Sequence, residues 1–167
     1  MNSSPDTMSS FAFISTIEVI TLLGAKPVLI DADLGTALID NNLIEKNITD
    51  KTKAIIPVSL FGQIPNFSLI NKIAKMNGNI AVIEDGAQSF GSTFKRKKSC
   101  SLSTIGITSF FPSKTLGCYG DGGAIFTNNK SLFNKLKQIR VHGQSFKDNH
   151  VRNGIQGRMD TMQCAII

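Results

Sequence analysis

The sequence is poor in the residue patterns that build metal centres, disulfide frameworks and membrane spans. Its 167 residues include three cysteines and two histidines, and Cys100, Cys118 and Cys164 lie far apart without a CxxC pair. This spacing indicates neither a disulfide framework nor a zinc site. Polar or charged residues interrupt every apolar run before the ~20 residues that a membrane-spanning helix requires. We therefore expect no metal, no membrane partner and a reducing, cytoplasmic setting.

Acidic residues are also few relative to basic ones. Twelve aspartates and glutamates stand against 18 lysines and arginines, and the resulting net charge is +6. Four of the basic residues form the run Lys95–Lys98, which could contact nucleic acid or occupy the tip of an exposed hairpin. A surface that binds single-stranded nucleic acid needs aromatic residues between its basic residues, and this run has none. We favour the hairpin tip and expect no nucleic-acid partner.

Apolar runs of strand length alternate with helical patterns along the chain. Strands are predicted at 27–31, 53–59, 80–84, 105–110 and 123–127. One helix is predicted to begin at a capping box, Ser15–Glu18. Two further helices are predicted at 67–77 and 130–141, and the pattern at 36–49 is ambiguous. Because the strands read as continuous hydrophobic runs, we predict an α/β fold with a mainly parallel sheet and helices on both faces.

Two chemically useful residues follow strands of this sheet. Asp85 directly follows the run at 80–84, and Lys114 comes shortly after the run at 105–110. Active sites of such sheets lie beyond the carboxyl ends of the strands, so both side chains are expected there. A pyridoxal 5′-phosphate (PLP) enzyme needs this pair, because the amine forms a Schiff base with the cofactor and the carboxylate keeps its pyridine nitrogen protonated. The plainer alternatives are a surface lysine and an aspartate that caps the next turn.

Five motifs occur in an order that resembles a known family. They are Phe11–Thr16, Thr52–Val58, Glu84–Gln88, Ser109–Lys114 and Gly120–Gly123. Together they resemble the DegT/DnrJ/EryC1/StrS family of PLP-dependent nucleotide-sugar aminotransferases, over nearly the whole chain. The resemblance implies the large, PLP-binding domain of fold type I.

The resemblance also implies an activity. Members transfer an amino group, usually from glutamate, to a keto carbon of a nucleotide-linked sugar, and the products enter lipopolysaccharide, capsule or glycan assembly. Ser99–Thr104 and Lys114–Gly120 are most similar to members that aminate UDP-2-acetamido-2-deoxy-3-oxo-glucuronate. A homodimer is implied, because each site in the family borrows residues from its partner.

The match to the family is partial. A Gly-Thr turn that holds the cofactor phosphate and a C-terminal small domain have no counterpart in this sequence, so we expect residues 1–167 to be an incomplete large domain. Two alternatives stay open. One is an inactive, truncated remnant, and the other is a non-enzymatic α/β binding module in which Lys95–Lys98 meets a polyanion.

The family assigns roles to four residues near the predicted strand ends. Lys114 would be the catalytic lysine, first bound to the cofactor and then acting as the base that moves the substrate proton. Asp85 would pair with the pyridine nitrogen, and Gln88 would contact the ring or its phenolic oxygen. Ser109 would donate a hydrogen bond to the cofactor phosphate. For Gln88 and Ser109 the alternatives are an ordinary loop amide and a common strand serine.

The family also implies roles for two further residues, each of which has a strong alternative interpretation. Phe13 would stack on the pyridine ring, or it would belong to the hydrophobic core. Arg158 would bind anionic groups of the substrate, or it would form a structural salt bridge at the start of a helix. The sequence also departs from the family at Ser59, where histidine is frequent, and at Gln156, where asparagine is usual.

Overall fold

A computed structural model describes residues 5–167 and contains five α-helices and ten strands in that range. The strands are β1 (Pro5–Ser9), β2 (Lys26–Ile30), β3 (Ala54–Ile56), β4 (Ala81–Asp85), β5 (Thr93–Phe94), β6 (Lys97–Lys98), β7 (Ile105–Ser109), β8 (Gly123–Phe126), β9 (Gln144–Phe146) and β10 (Asn149–His150). The helices are α1 (Ser15–Leu22), α2 (Asn41–Ile44), α3 (Phe67–Met76), α4 (Lys130–Ile139) and α5 (Thr161–Ile166). Short 3-10 helices cover Glu45–Asn47 and Leu60–Gly62. No helix within residues 5–167 has the length and apolar character to cross a membrane.

Six strands form one mixed sheet in the order β2-β1-β3-β4-β7-β8. Neighbouring strands run parallel except β8, which pairs antiparallel with β7. The predicted mainly parallel α/β sheet is therefore confirmed. β4 and β7 are adjacent and parallel, so their carboxyl ends, at Asp85 and Ser109, lie at the same edge of the sheet.

Two buried clusters show that helices cover both faces. On β3, the side chain of Ile55 packs with α3 residues such as Phe67 and Ile70. Its neighbours Ala54 and Ile56 belong to a second cluster, which includes Met8 of β1 and Ile20 of α1. Successive strand residues point to opposite faces. The alternation on β3 therefore places α3 on one face of the sheet and α1 on the other.

The helix predictions near the sheet are partly corrected. α3 begins with an Asn66 side chain that accepts a hydrogen bond from Leu69 N, which fits the predicted helix at 67–77. The capping box at Ser15–Glu18 is wrong, because the N-cap residue of α1 is Ile14 and no side chain caps it. The Thr16 hydroxyl instead bonds to a residue of β4, as described below.

The basic run occupies a hairpin tip. β5 and β6 pair antiparallel, and Lys95 and Arg96 form the turn between them with φ of 49° and 65°. Positive φ at both central residues is typical of a two-residue hairpin turn that matches the twist of its strands. All four residues of Lys95–Lys98 are exposed, as predicted.

Candidate active site

A cavity of about 360 Å³ opens at the carboxyl ends of β4 and β7. Five of the six predicted site residues line it together: Phe13, Asp85, Gln88, Ser109 and Lys114. A larger cavity, about 450 Å³, lies beside Phe90 and Phe126 and contains none of them. We place the candidate site at the smaller cavity because it brings an amine, a carboxylate, an amide, hydroxyls and aromatic rings to one place.

The Asp85 carboxylate is held from two sides. Its Oδ2 accepts a hydrogen bond from Thr16 Oγ1 at 2.9 Å, and its Oδ1 accepts one from Ala87 N at 3.1 Å. The residue is 7% exposed and is the last residue of β4. Two donors on a nearly buried carboxylate limit its rotation, because any other rotamer would leave polar groups without partners. The carboxylate is therefore fixed where it borders the cavity.

The side-chain amide of Gln88 has a defined orientation. Its Oε1 accepts a hydrogen bond from Phe61 N at 3.0 Å. Phe61 has a positive φ of 55° within the 3-10 helix Leu60–Gly62, and this bond helps to hold that unusual backbone conformation. With Oε1 bound to the loop, the Nε2 group is the part of the amide that remains to donate toward the cavity.

Lys114 is half-buried in the loop that joins β7 to β8. Its backbone N donates to Phe111 O at 2.9 Å, while Cys118 N donates to Phe110 O at 2.8 Å. An added Cβ on Gly117 would lie 2.7 Å from Pro112 O, so only glycine allows the loop to fold back this closely. The loop is therefore compact, and it presents the Lys114 side chain to the cavity.

The remaining predicted residues have contrasting positions. Ser109 Oγ accepts a hydrogen bond from Phe111 N at 3.2 Å, and its own proton is free to point elsewhere. Phe13 is 68% exposed and borders the cavity, so it is not a residue of the hydrophobic core. Arg158 is exposed and does not border the cavity, and its Nε donates to Gln156 Oε1 at 3.2 Å. The structure thus leaves Arg158 apart from the other five.

Sequence reasoning missed several residues at and beneath the site. Thr16 was interpreted as part of a capping box, although its hydroxyl binds Asp85. Asp121 also borders the cavity, and its place in the motif Gly120–Gly123 was an available signal. Glu84, fully buried beside Asp85, had no assigned role.

Cys100 lies close to Glu84 but is a poor nucleophile. Burial, more than the nearby Glu84 and Asp85 carboxylates, raises the pKa of its thiol to about 11, although the Ser99 hydroxyl acts in the opposite direction. The thiol is therefore protonated near neutral pH, and the thiolate is the reactive form. Within residues 5–167, no three His, Cys, Asp or Glu side chains form a group that could hold a metal ion.

Comparisons with known proteins identify the family of the chain. Residues 7–167 match the model of the DegT/DnrJ/EryC1/StrS aminotransferase family. A UDP-2-acetamido-2-deoxy-3-oxo-D-glucuronate aminotransferase from Pseudomonas aeruginosa is 55% identical over 157 residues, which are 94% of this chain and 44% of that protein. The chain thus spans less than half the length of this relative.

Two solved structures share the fold. A DegT DnrJ EryC1 StrS aminotransferase from Brucella abortus superposes with a TM-score of 0.90 at 37% identity, over 98% of this chain and 46% of its own. The NtdA protein of Bacillus subtilis, solved with bound cofactor PMP, gives a TM-score of 0.90 at 34% identity, over 99% and 38% of the two chains. With the strand order and the placement of Asp85 and Lys114, these matches lead to one conclusion: the chain belongs to the DegT/DnrJ/EryC1/StrS aminotransferase family.

Proposed function

We propose that this chain is the PLP-binding part of a nucleotide-sugar aminotransferase. The observation that carries the proposal is the convergence of Asp85 and Lys114 on one cavity: Asp85 ends β4, and Lys114 lies in the loop that follows the adjacent parallel strand β7. When bound, PLP supplies an electron sink through which an amino group can pass from a donor to a keto carbon. The cavity offers a matching set of groups: a lysine amine, a fixed carboxylate, an amide donor, a serine hydroxyl and an aromatic face.

Each of these groups has a distinct task in the proposal. Lys114 Nζ would bind the cofactor aldehyde and, once an amino donor has released it, would take a proton from one carbon and return it to another. Asp85 would hold the proton on the pyridine nitrogen. Gln88 Nε2 would donate to the phenolic oxygen, since its Oε1 is bound to Phe61 N. Ser109 would donate to the phosphate, and the Phe13 ring would cover one face of the cofactor.

The substrate is proposed from the relatives. The Pseudomonas aeruginosa relative is named for a UDP-linked 3-oxo-glucuronate sugar, and we infer the same class of keto sugar here. Glutamate is the proposed amino donor, and a surface polysaccharide or glycan is the proposed destination of the product. We further propose that residues 1–167 form part of a large domain and that the active unit is a homodimer. In that dimer, Arg158 would reach into the neighbouring subunit's site and bind anionic groups of the substrate there.

The decisive experiment is covalent labelling of Lys114. The purified chain is mixed with PLP, reduced with borohydride and mapped by mass spectrometry, with K114R as the variant and K130R, at an exposed helix position, as the matched control. We expect the pyridoxyl label on Lys114 in the wild type and in K130R, and its loss in K114R. Label on another lysine, or no label on a folded sample, would contradict the proposal.

The amino donor can be tested in the same sample. Glutamate added before borohydride should reduce labelling of Lys114, because the donor displaces the lysine amine from the cofactor. Aspartate and alanine serve as comparison donors. Equal labelling with and without glutamate would contradict glutamate as the donor while leaving the cofactor assignment intact.

A further inference from the structure

Glu84 is a fully buried carboxylate that does not border the cavity. Its side chain is 0% exposed, and it immediately precedes Asp85 on β4. Because successive strand residues point to opposite faces, Glu84 lies on the other side of the sheet from the Asp85 carboxylate. Glutamate is rarely buried completely, since removing a carboxylate from water is unfavourable unless hydrogen bonds replace the water.

Three donors surround the Glu84 carboxylate. Ser59 Oγ and Ser99 Oγ donate to Oε1 at 2.9 and 2.8 Å, and Cys100 N donates to Oε2 at 2.8 Å. The hydroxyl of Ser99 is also 2.6 Å from that of Ser89. These bonds join the end of β4 to the segment that follows β3 and to the segment that follows β6.

The segment that follows β3 is also joined to Asp85 through the backbone. Ser59 N donates to Asp85 O at 2.8 Å, and Asp85 N donates to Pro57 O at 3.0 Å. On the other side of Asp85, an added Cβ on Gly86 would lie 2.5 Å from Cys100 Sγ and 3.1 Å from Ser99 Oγ. There is thus little free space around the end of β4, and a shift of the Glu84 partners would be transmitted to Asp85.

We propose that Glu84 is a positioning residue: through Ser59 and Ser99–Cys100 it fixes the end of β4 and so holds the Asp85 carboxylate at the cavity that contains Lys114. The inference rests on the function proposed above. A carboxylate is needed because both of its oxygens accept hydrogen bonds. The amide of a glutamine has only one such oxygen, and its nitrogen would face a donor.

The test compares E84Q with S59A, which removes one donor, and with T52V as the control. T52V removes the hydrogen bond that Thr49 N donates to the hydroxyl of the buried Thr52, away from this network. Four quantities are measured on each chain: the Kd for PLP, the pH midpoint of the absorbance band of the bound cofactor, labelling of Lys114, and urea unfolding. The pH midpoint is included because it depends on where Asp85 lies relative to the pyridine nitrogen, whereas a residue that only stabilises the fold would leave it unchanged.

E84Q is expected to raise the Kd for PLP about tenfold and to shift the pH midpoint, in line with the effect of partners that orient a ligating group. S59A should change the Kd for PLP and the pH midpoint in the same direction as E84Q, but by less. If E84Q does not fold, the S59A result alone tests the inference. T52V should lower stability without moving either quantity. If E84Q and S59A behave like T52V, the inference is wrong while the proposed function stands. If wild-type Lys114 takes no label, the proposed function fails and the inference fails with it.

Discussion

The hydroxyl of Thr16 illustrates how much one buried donor can matter at this site. It supplies one of two hydrogen bonds to the Asp85 carboxylate, at 2.9 Å, from a helix distant in sequence. Thr16→Val keeps the shape of the side chain but removes the donor. We expect unfolding stability to fall by about 1 kcal/mol, the usual value of a buried hydrogen bond, and PLP affinity to fall several-fold because Asp85 gains freedom to rotate.

Thr21→Val is the matched control for this prediction. Thr21 lies on the same helix but is exposed, and its hydroxyl bonds only to backbone oxygens of that helix. Urea unfolding and absorbance titration with PLP measure the two effects. Equal PLP affinities for the two variants would show that Thr16 has no influence on the cofactor through Asp85.

The site residues that follow strands were the ones that the sequence predicted best. Asp85 and Lys114 could be placed because each follows an apolar run, and the edge at which parallel strands end is a general property of such sheets. The bonds to Glu84 could not be foreseen, because its partners Ser59 and Ser99 are 25 and 15 residues away and serine is common in loops. Pairings of this kind depend on how the strands are ordered.

At the scale of elements, the sequence predicted the apolar strands and the amphipathic helices but not the polar strand β1. β1 has the sequence Pro-Asp-Thr-Met-Ser, which carries little hydrophobic signal, yet it lies between β2 and β3 with Thr7, Met8 and Ser9 buried. Its strand conformation comes from pairing with two neighbours rather than from its own residues. The ambiguous stretch at 36–49 likewise resolves into a short α2 followed by a 3-10 turn, a mixture with no clean period.

The packing of β7 against the segment after the hairpin gives a prediction at the element scale. Gly106 pairs with Glu84 across the sheet, and an added Cβ would collide with the backbone O and Cα of Cys100. Gly106→Ala must push the segment 99–101 away, which would also draw Cys100 N from Glu84. We expect a loss of roughly 1–3 kcal/mol in unfolding free energy, as for other overpacked sites.

Gly157→Ala is the control for that substitution. A Cβ at Gly157 would meet side-chain atoms at 3.5 Å, which is ordinary contact. Its effect should stay within about 0.5 kcal/mol. Urea denaturation of both variants measures the difference, and a Gly106→Ala protein as stable as the wild type would mean that the Cys100 segment is not held against β7 as described.

At the scale of the molecule, the chain spans 44% of the length of its Pseudomonas aeruginosa relative, and several large apolar side chains are exposed. Leu22, Leu23 and Tyr119 are more than four-fifths exposed. Single exposed apolar side chains are normal on a protein surface and do not by themselves identify an interface. The homodimer proposed above predicts that some of these side chains are covered when two copies of the chain associate.

The distribution of positive charge provides a test between the proposed enzyme and a polyanion-binding module. Lys95–Lys98 carries four of the positive charges behind a net of +6, all exposed on one hairpin. Replacing the four by glutamine should lower the salt concentration at which the chain elutes from heparin, because contiguous charges release more counterions together. A matched variant removes four exposed lysines from three other parts of the chain, and it should elute later than the hairpin variant. These lysines are Lys26, Lys51, Lys72 and Lys75.

Both charge variants should take the pyridoxyl label on Lys114 as fully as the wild type, because none of the eight substituted residues borders the cavity. Heparin elution and peptide mapping on the same preparations therefore separate the two functions. Loss of label from the hairpin variant alone would mean that the basic run belongs to the cofactor site. Heparin binding that persists at physiological salt, is abolished by the hairpin variant and is indifferent to K114R would favour the binding module over the aminotransferase.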